Sequence, residues 1–504
     1  MNRSPVSPTA NPVLLYQDVD SLVEPYRTSL RRTIPLLILA VAAAGFWRWE
    51  QESYLAAGAA WLVIILATIP AILWLAGYLK GIPILPGMAL HEVLVFGLPV
   101  LAVREGIEYY TEAEILRACV AEIIYLGILT TVAILLARGG RKPSWVIALT
   151  PAFARPDTQV RLCISLLLLA TIFSVSVPAG WAWTYVYSFL PNGVFVISRA
   201  AFTLAALVGI FFMALAHGRG ILPAWARTIY IALTMLYMAG QTSTLLIAGV
   251  LFPYIAWFCG FTLGRGRFPW IVFLLSLVVL NILHLGKWEM RYNYWEQFGG
   301  TPRQVSPLDY PNWYGEWFRA GIRGFSANPD FDHRQTKESF LDRASLVQMV
   351  LLAQTRAPRE VPHLSGRTYW IIPQLFVPRL LWPEKPRTHL GQITLNVHFG
   401  RQTEEQAQRS FIAWGMLAES WANFGWLGPP LLGVVFGFFV GGITRLSRGV
   451  PLGSLRFLLA TLILFTSIST SSAVMSVYLT TLFQAVVVIL VASVFVMRRI
   501  PNPS

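Results

Sequence analysis

The residues best placed to do chemistry lie at 377–386, Val-Pro-Arg-Leu-Leu-Trp-Pro-Glu-Lys-Pro, followed at once by Arg387. Proline has no backbone N–H and a fixed φ, so prolines this close together preclude a regular helix. The segment is rigid, extended or turning, and it presents Arg379, Lys385 and Arg387 in a set arrangement. A guanidinium offers a bidentate fork and an ammonium a point charge, so the three suit a phosphate-rich ligand. Contact with lipid headgroups is the plainer use of the same cations.

Further along, Glu419, Trp421, Asn423 and Phe424 lead through Gly425 and Gly428 into an apolar run. An acid at that depth is costly unless paired. Glu419 is therefore either a structural partner of an arginine or a reacting group. Arg199 sits about two turns inside another apolar run. Ionisable residues within a membrane are functional candidates by default, and snorkelling to the interface is the alternative. Arg343 falls on the polar face of an amphipathic helix expected from about Thr336 or Ser339 to Pro358, where plain solvation is its alternative role.

Composition says what must position these groups. The chain has 504 residues, 55% hydrophobic and 13% charged, against about 25% charged in soluble domains. It is an all-α polytopic membrane protein with about twelve expected spans, at 34–49, 55–79, 85–103, 114–137, 161–180, 193–216, 224–241, 243–263, 268–286, 426–444, 452–471 and 474–497. Residues 1–33 form an N-terminal tail, 34–286 a first bundle of about nine spans, 287–425 a large outer loop module, and 426–504 about three closing spans. Residues 1–30 lack an early apolar core, so no cleaved signal peptide is expected. Cys119, Cys163 and Cys259 fall in apolar runs, which implies neither a disulfide framework nor a metal cluster.

The net charge of +14 does not point to nucleic acid, because the cations sit in short loops beside apolar spans. Arg27, Arg31 and Arg32, Lys80, the group from Arg138 to Arg161, Arg219 and Arg227, Arg265 and Arg267, Arg445 to Arg456, and Arg498 and Arg499 share one side if there are twelve crossings. The positive-inside rule makes that side cytoplasmic, with both termini on it and the long loop outside. Within that loop, Trp288, Tyr292, Tyr294, Trp295, Tyr310, Trp313, Tyr314 and Trp317 suit an interfacial belt or stacking on sugar faces.

Three segments together, Asp342-Arg343-Ala-Ser-Leu, Val-Pro-Arg379-Leu-Leu-Trp-Pro-Glu-Lys385-Pro and Met416-Leu-Ala-Glu419-Ser-Trp-Ala-Asn423-Phe-Gly425-Trp-Leu-Gly428, resemble Wzy-type oligosaccharide repeat-unit polymerases of bacterial surface polysaccharides. The match covers roughly 342–436 by motif and the remainder by hydropathy alone. The resemblance implies a GT-C-like fold and an inverting, metal-independent glycosyltransferase on the outer face of a bacterial inner membrane, without a cofactor. Its substrate would be an undecaprenyl-pyrophosphate-linked glycan in the bilayer, with a flippase and a chain-length regulator as partners. Arg199, Arg343, Arg379, Lys385 and Arg387 would neutralise the pyrophosphate leaving group. Glu419, then His389 or His398, would be the general base for the acceptor hydroxyl. The related O-antigen ligases transfer the glycan to another acceptor.

A transporter of lipid-linked oligosaccharide fits twelve spans, but no half-length internal repeat supports it. A non-catalytic assembly partner or sensor is a further alternative. A membrane protease would need His-Glu-x-x-His or Gly-x-Ser-x-Gly, and the chain has neither.

Overall fold

The computed structural model describes residues 17–31, 35, 39, 54–102, 106–138, 142–150, 155–295, 303–326, 344–379, 381–410, 412–470 and 472–502. Nearly all of the expected span 34–49 lies outside them, as do Arg343 and the start of the helix expected from Thr336. The chain is mostly helical. Its principal elements are α1 (Val19–Leu30), α2 (Tyr54–Leu75), α3 (Ile84–Leu101), α4 (Glu112–Ala137), β1 (Trp145–Leu149), α5 (Pro156–Ser176), α6 (Asn192–Gly218), α7 (Ala224–Thr242), α8 (Ala248–Arg265), α9 (Trp270–Tyr294), α10 (Tyr310–Ser326), α11 (Val347–Arg356), α12 (Leu390–His398), α13 (Met416–Phe424), α14 (Gly428–Leu446), α15 (Leu455–Ser469), α16 (Met475–Val496) and β2 (Met497–Pro501).

Eight helical runs among the described residues are long and apolar enough to cross a membrane. They are α2, α3, α4, α5, α6, α9, α16 and the continuous stretch Met416–Leu446 that joins α13 to α14. The helices α7 and α8 stand where spans were expected but fall short in length or apolarity, and the apolar part of α15 runs only from Leu455 to Ile468. The chain is also not purely helical, since β1 and β2 pair antiparallel from Trp145 opposite Pro501 to Leu149 opposite Met497.

That small sheet belongs to a larger gathering of loops. Asp20 Oδ1 accepts from Gly81 N at 2.7 Å, and Arg31 Nε donates to Leu75 O at 2.7 Å. Lys142 Nζ lies 3.3 Å from Asp18 Oδ2, Arg448 Nη1 donates to Ala137 O, and Asn502 Nδ2 donates to Pro143 O and Gly449 O. These bonds put α1, the loops around 80, 142 and 448, and the end of the chain on one face of the bundle. The cation-rich loops share a side, as the charge pattern requires.

At the other end of the bundle, one proline sets the docking of the segment that begins at 344. Pro99 in α3 has no N–H, so the carbonyl of Val95 four residues earlier loses its helical donor. The helix widens into a π-turn over Val93–Gly97, and Val95 O accepts from Leu346 N at 3.0 Å instead. The third expected span is thus a helix whose irregularity is used to hold the module.

The most extensive interface joins α4 and α14, which run parallel. Thr111 opens α4 with a capping box, its N–H donating to Glu114 Oε2 at 2.8 Å. On α14, Gly433, Gly437 and Gly441 recur every four residues, the small-residue spacing that lets helix backbones approach closely in lipid. A Cβ at Gly441 would stand 2.7 Å from Ala133 O, and one at Gly437 would stand 2.7 Å from Val132 Cβ. Gly442, on another face, has nothing within 4 Å. Gly441→Val should therefore destabilise by about 1–3 kcal/mol, while Gly442→Ala should leave stability unchanged. Thermal unfolding of the two purified variants measures the difference.

Candidate functional site

The expected helix ending at 286 in fact continues to Tyr294, with Lys287 and Met290 buried. The apolar run stops there, but the helix does not. The helix α10 then folds back along α9. Gly286 and Gly321 bring the two backbones together, and a Cβ at Gly286 would stand 2.6 Å from Trp317 O. Trp317 is fully buried and donates from its indole to Leu283 O at 2.8 Å. Trp313 packs on Tyr294 at 4.7 Å, and Tyr314 O–H donates to Ala239 O. Tyr310, Trp313, Tyr314 and Trp317 therefore build a small core between α7, α9 and α10. They form neither a sugar platform nor an interfacial belt.

The cationic segment has a different support. A short helix, Ile372–Leu375, packs against α16, and Phe376 packs on Phe483 with ring centroids 4.8 Å apart. The chain then turns through the prolines as expected. Lys385 Nζ donates to Leu375 O at 2.8 Å and to Val377 O at 2.7 Å, and Arg379 Nη1 donates to Pro383 O at 2.9 Å. Each cation thus closes the turn through backbone carbonyls and keeps donors to spare. Burial, then the neighbouring Arg379, holds the Lys385 ammonium below the usual lysine value. Anion affinity contributed by Lys385 is accordingly present at lower pH and lost as pH rises through that lowered value. Arg387 is exposed just beyond. Residues 344–424 carry eight basic and five acidic side chains, a net positive balance.

Glu419 lies under the same module. It is fully buried on α13, and its partner is a backbone N–H rather than an arginine, since Oε2 accepts from Met475 N at 2.6 Å. Its Oε1 has no hydrogen-bond partner among the described residues. Beside it, the Asn423 side chain makes three hydrogen bonds. Its Oδ1 accepts from Gly366 N at 3.0 Å, while its Nδ2 donates to Thr368 Oγ1 and to Glu419 O, both at 2.8 Å. Tyr369 stacks on Phe424, with ring planes 5° apart. Ser476 Oγ donates to Thr388 O at 3.0 Å, which fastens the end of the cationic turn to the top of α16.

The two histidine candidates sit at opposite ends of α12. His389 Nδ1 pairs with Gln392 Oε1 at 2.8 Å. His398 Nε2 is 2.8 Å from Pro362 O. A carbonyl can only accept, so that nitrogen carries the proton and Nδ1 is the basic one. Arg379 and Lys385 share one turn, and Arg387 and His389 follow it directly. Arg199 stands apart, exposed on α6, whose partners are α5, α7, α8 and α16. Arg343 is outside the described residues.

Thr368, which Asn423 reaches, was not among the sequence candidates. Neither were Glu92 on α3 and Glu122 on α4. The signal for the two acids was present, because both interrupt apolar runs in the same way as Arg199 does. No protein-family model matches the chain, and no match was found among curated proteins or solved structures.

Glu419→Gln keeps a carbonyl oxygen for Met475 N–H and should melt close to the wild type. Glu419→Ala strands that buried donor and should lose about 1–3 kcal/mol, and Asn423→Ala should lose at least as much. Differential scanning fluorimetry in detergent compares the three variants.

Proposed function

We propose that the chain polymerises undecaprenyl-pyrophosphate-linked oligosaccharide repeat units into a bacterial surface polysaccharide, by inverting and metal-independent glycosyl transfer. The observation that carries this reading is the proline-locked turn, in which Arg379 and Lys385 are fixed side by side at the top of a membrane-spanning helix. A lipid pyrophosphate leaving group develops charge at that level, next to the bilayer that holds its tail. Cations held in place before reaction stabilise such charge without the cost of reorganising solvent. Arg387 and Arg367 extend the cationic face.

The base in this reading is His389 or His398, since each is within the module and only partly buried. Glu419 is sealed from solvent in this conformation, so it acts on the acceptor only if the module opens. Its observed bond to Met475 N gives it a positioning role, holding the module onto α16. Arg343 and Arg199 complete the proposed cation set. The resemblance to GT-C enzymes adds the inner-membrane location, with the module on the outer side. A ligase that delivers the glycan to another acceptor would use the same turn.

A second reading, a transporter for lipid-linked oligosaccharide, is favoured by one observation. Glu122 is fully buried within a membrane-spanning helix, and membrane-embedded acids recur in coupled transport.

Glycan size in a deletion strain separates the readings, with wild type, Arg379→Ala and Lys385→Ala returned at matched abundance in the membrane. The polymerase reading expects single lipid-linked repeats without long polymer, from the deletion and from both variants. Long polymer that is made but not attached identifies a ligase. Unaltered polymer in the deletion strain overturns both.

A further inference from the structure

A cavity of about 30 Å³ lies between α3, α4 and α13, away from the cationic turn. Met88, His91, Glu92 and Phe96 line it from α3, and Glu122 and Tyr125 from α4. Leu346 and Val350 close it from the outer module, and the first turn of α13 closes it from another side. Glu122 stands about ten residues into α4, roughly 15 Å along the helix axis and so near the middle of a bilayer core of about 30 Å. It is fully buried, and neither of its carboxylate oxygens has a hydrogen-bond partner among the described residues. The Glu92 carboxylate shares the cavity, with its Oε1 3.9 Å from His91 Nδ1.

We propose that this cavity is a binding site for one monovalent cation, a proton or Na⁺, held by the carboxylates of Glu122 and Glu92. The charge balance argues for it. Among the described residues, no Lys or Arg lines the cavity. The start of α13 faces it, but a helix N-terminus supplies at most about half a positive charge, less than two carboxylates carry. The remaining titratable groups near the pair are His91 on α3, Cys119 and Tyr125 on α4, and Tyr478 on α16. The thiol and the phenols are neutral near pH 7, so among the described residues His91, beside Glu92, is the group that can offset part of the charge. From α11, α13 and α15 the cavity receives apolar side chains and Ser467, whose hydroxyl pairs with Tyr478 at 3.0 Å. A carboxylate so buried must be paired or neutralised.

Size and donor type name the occupant. About 30 Å³ accommodates one or two water-sized species. The lining offers carboxylate and hydroxyl oxygens, which suit hard cations. The site is independent of the proposed glycosyl transfer. It also joins the outer module to the bundle, because Leu346, which docks on Val95, forms part of its wall.

Dicyclohexylcarbodiimide, which modifies protonated carboxyl groups in apolar surroundings, tests the proposal on the purified full-length protein without any glycan. Peptide-resolved mass spectrometry should find the adduct on Glu122 or Glu92 at pH 6, falling several-fold by pH 9. Protection by NaCl but not choline chloride at fixed pH identifies Na⁺, whereas dependence on pH alone identifies the proton. The Glu122→Gln variant should lose labelling at 122 and should lose the pH or Na⁺ dependence of its melting temperature. If that variant does not fold, Glu92→Gln and the wild-type adduct map carry the test. No adduct on either residue, or an adduct indifferent to both pH and Na⁺, overturns the proposal.

Discussion

Lipid offers a polypeptide no hydrogen bonds, so every polar group carried into it must find its partner within the protein. The arrangement of this chain follows from where that rule is strained. Pro99 deprives Val95 of its helical donor, and the Leu346 N–H of the outer module supplies one. The top of α16 begins with N–H groups that no preceding turn can satisfy, and Glu419 reaches across from α13 to take that of Met475. These two bonds fasten residues 346–419 at both ends, one to the first half of the bundle and one to the last helix. The cationic turn and both histidines lie on the chain between those anchors, and Asn423 follows one turn after the second.

Close approach of helices follows from a related limit. Association in lipid gains little from apolar burial, so packing depends on small residues that let backbones meet. The glycines of α14 against α4, and Gly286 and Gly321 between α9 and α10, serve that purpose. The second pair explains why the aromatic residues after Tyr292 are spent on structure. Once α10 lies against α9, its tryptophans and tyrosines fill the seam, and their polar edges bond to Leu283 O and Ala239 O.

The bonds of the cationic turn are themselves structural. Lys385 and Arg379 hold the carbonyls of Leu375, Val377 and Pro383, so the turn owes its shape to the same groups that give it charge. Prolines supply rigidity at the cost of donors, and the two cations supply donors to the carbonyls left over. An anion arriving at this turn meets groups already oriented, with their entropy of ordering spent during folding.

The sequence by itself determined the membrane class, most of the span positions, the gathering of basic loops on one face and the rigidity of 377–386. Each of these depends on local properties: hydropathy over about 20 residues, charge beside apolar runs, and proline's missing N–H. It also placed an acid at Glu419 and required that the acid be paired. Only the tertiary structure decided which group pairs with it, because a backbone N–H 56 positions away leaves no mark in the spacing of residues. The same holds for the antiparallel pairing of β1 with the end of the chain, for α10 folding back on α9, and for the meeting of Glu92 with Glu122 in one cavity. Those contacts depend on how separate helices sit against one another, which is set by side-chain shape and by the polar groups each helix leaves unsatisfied.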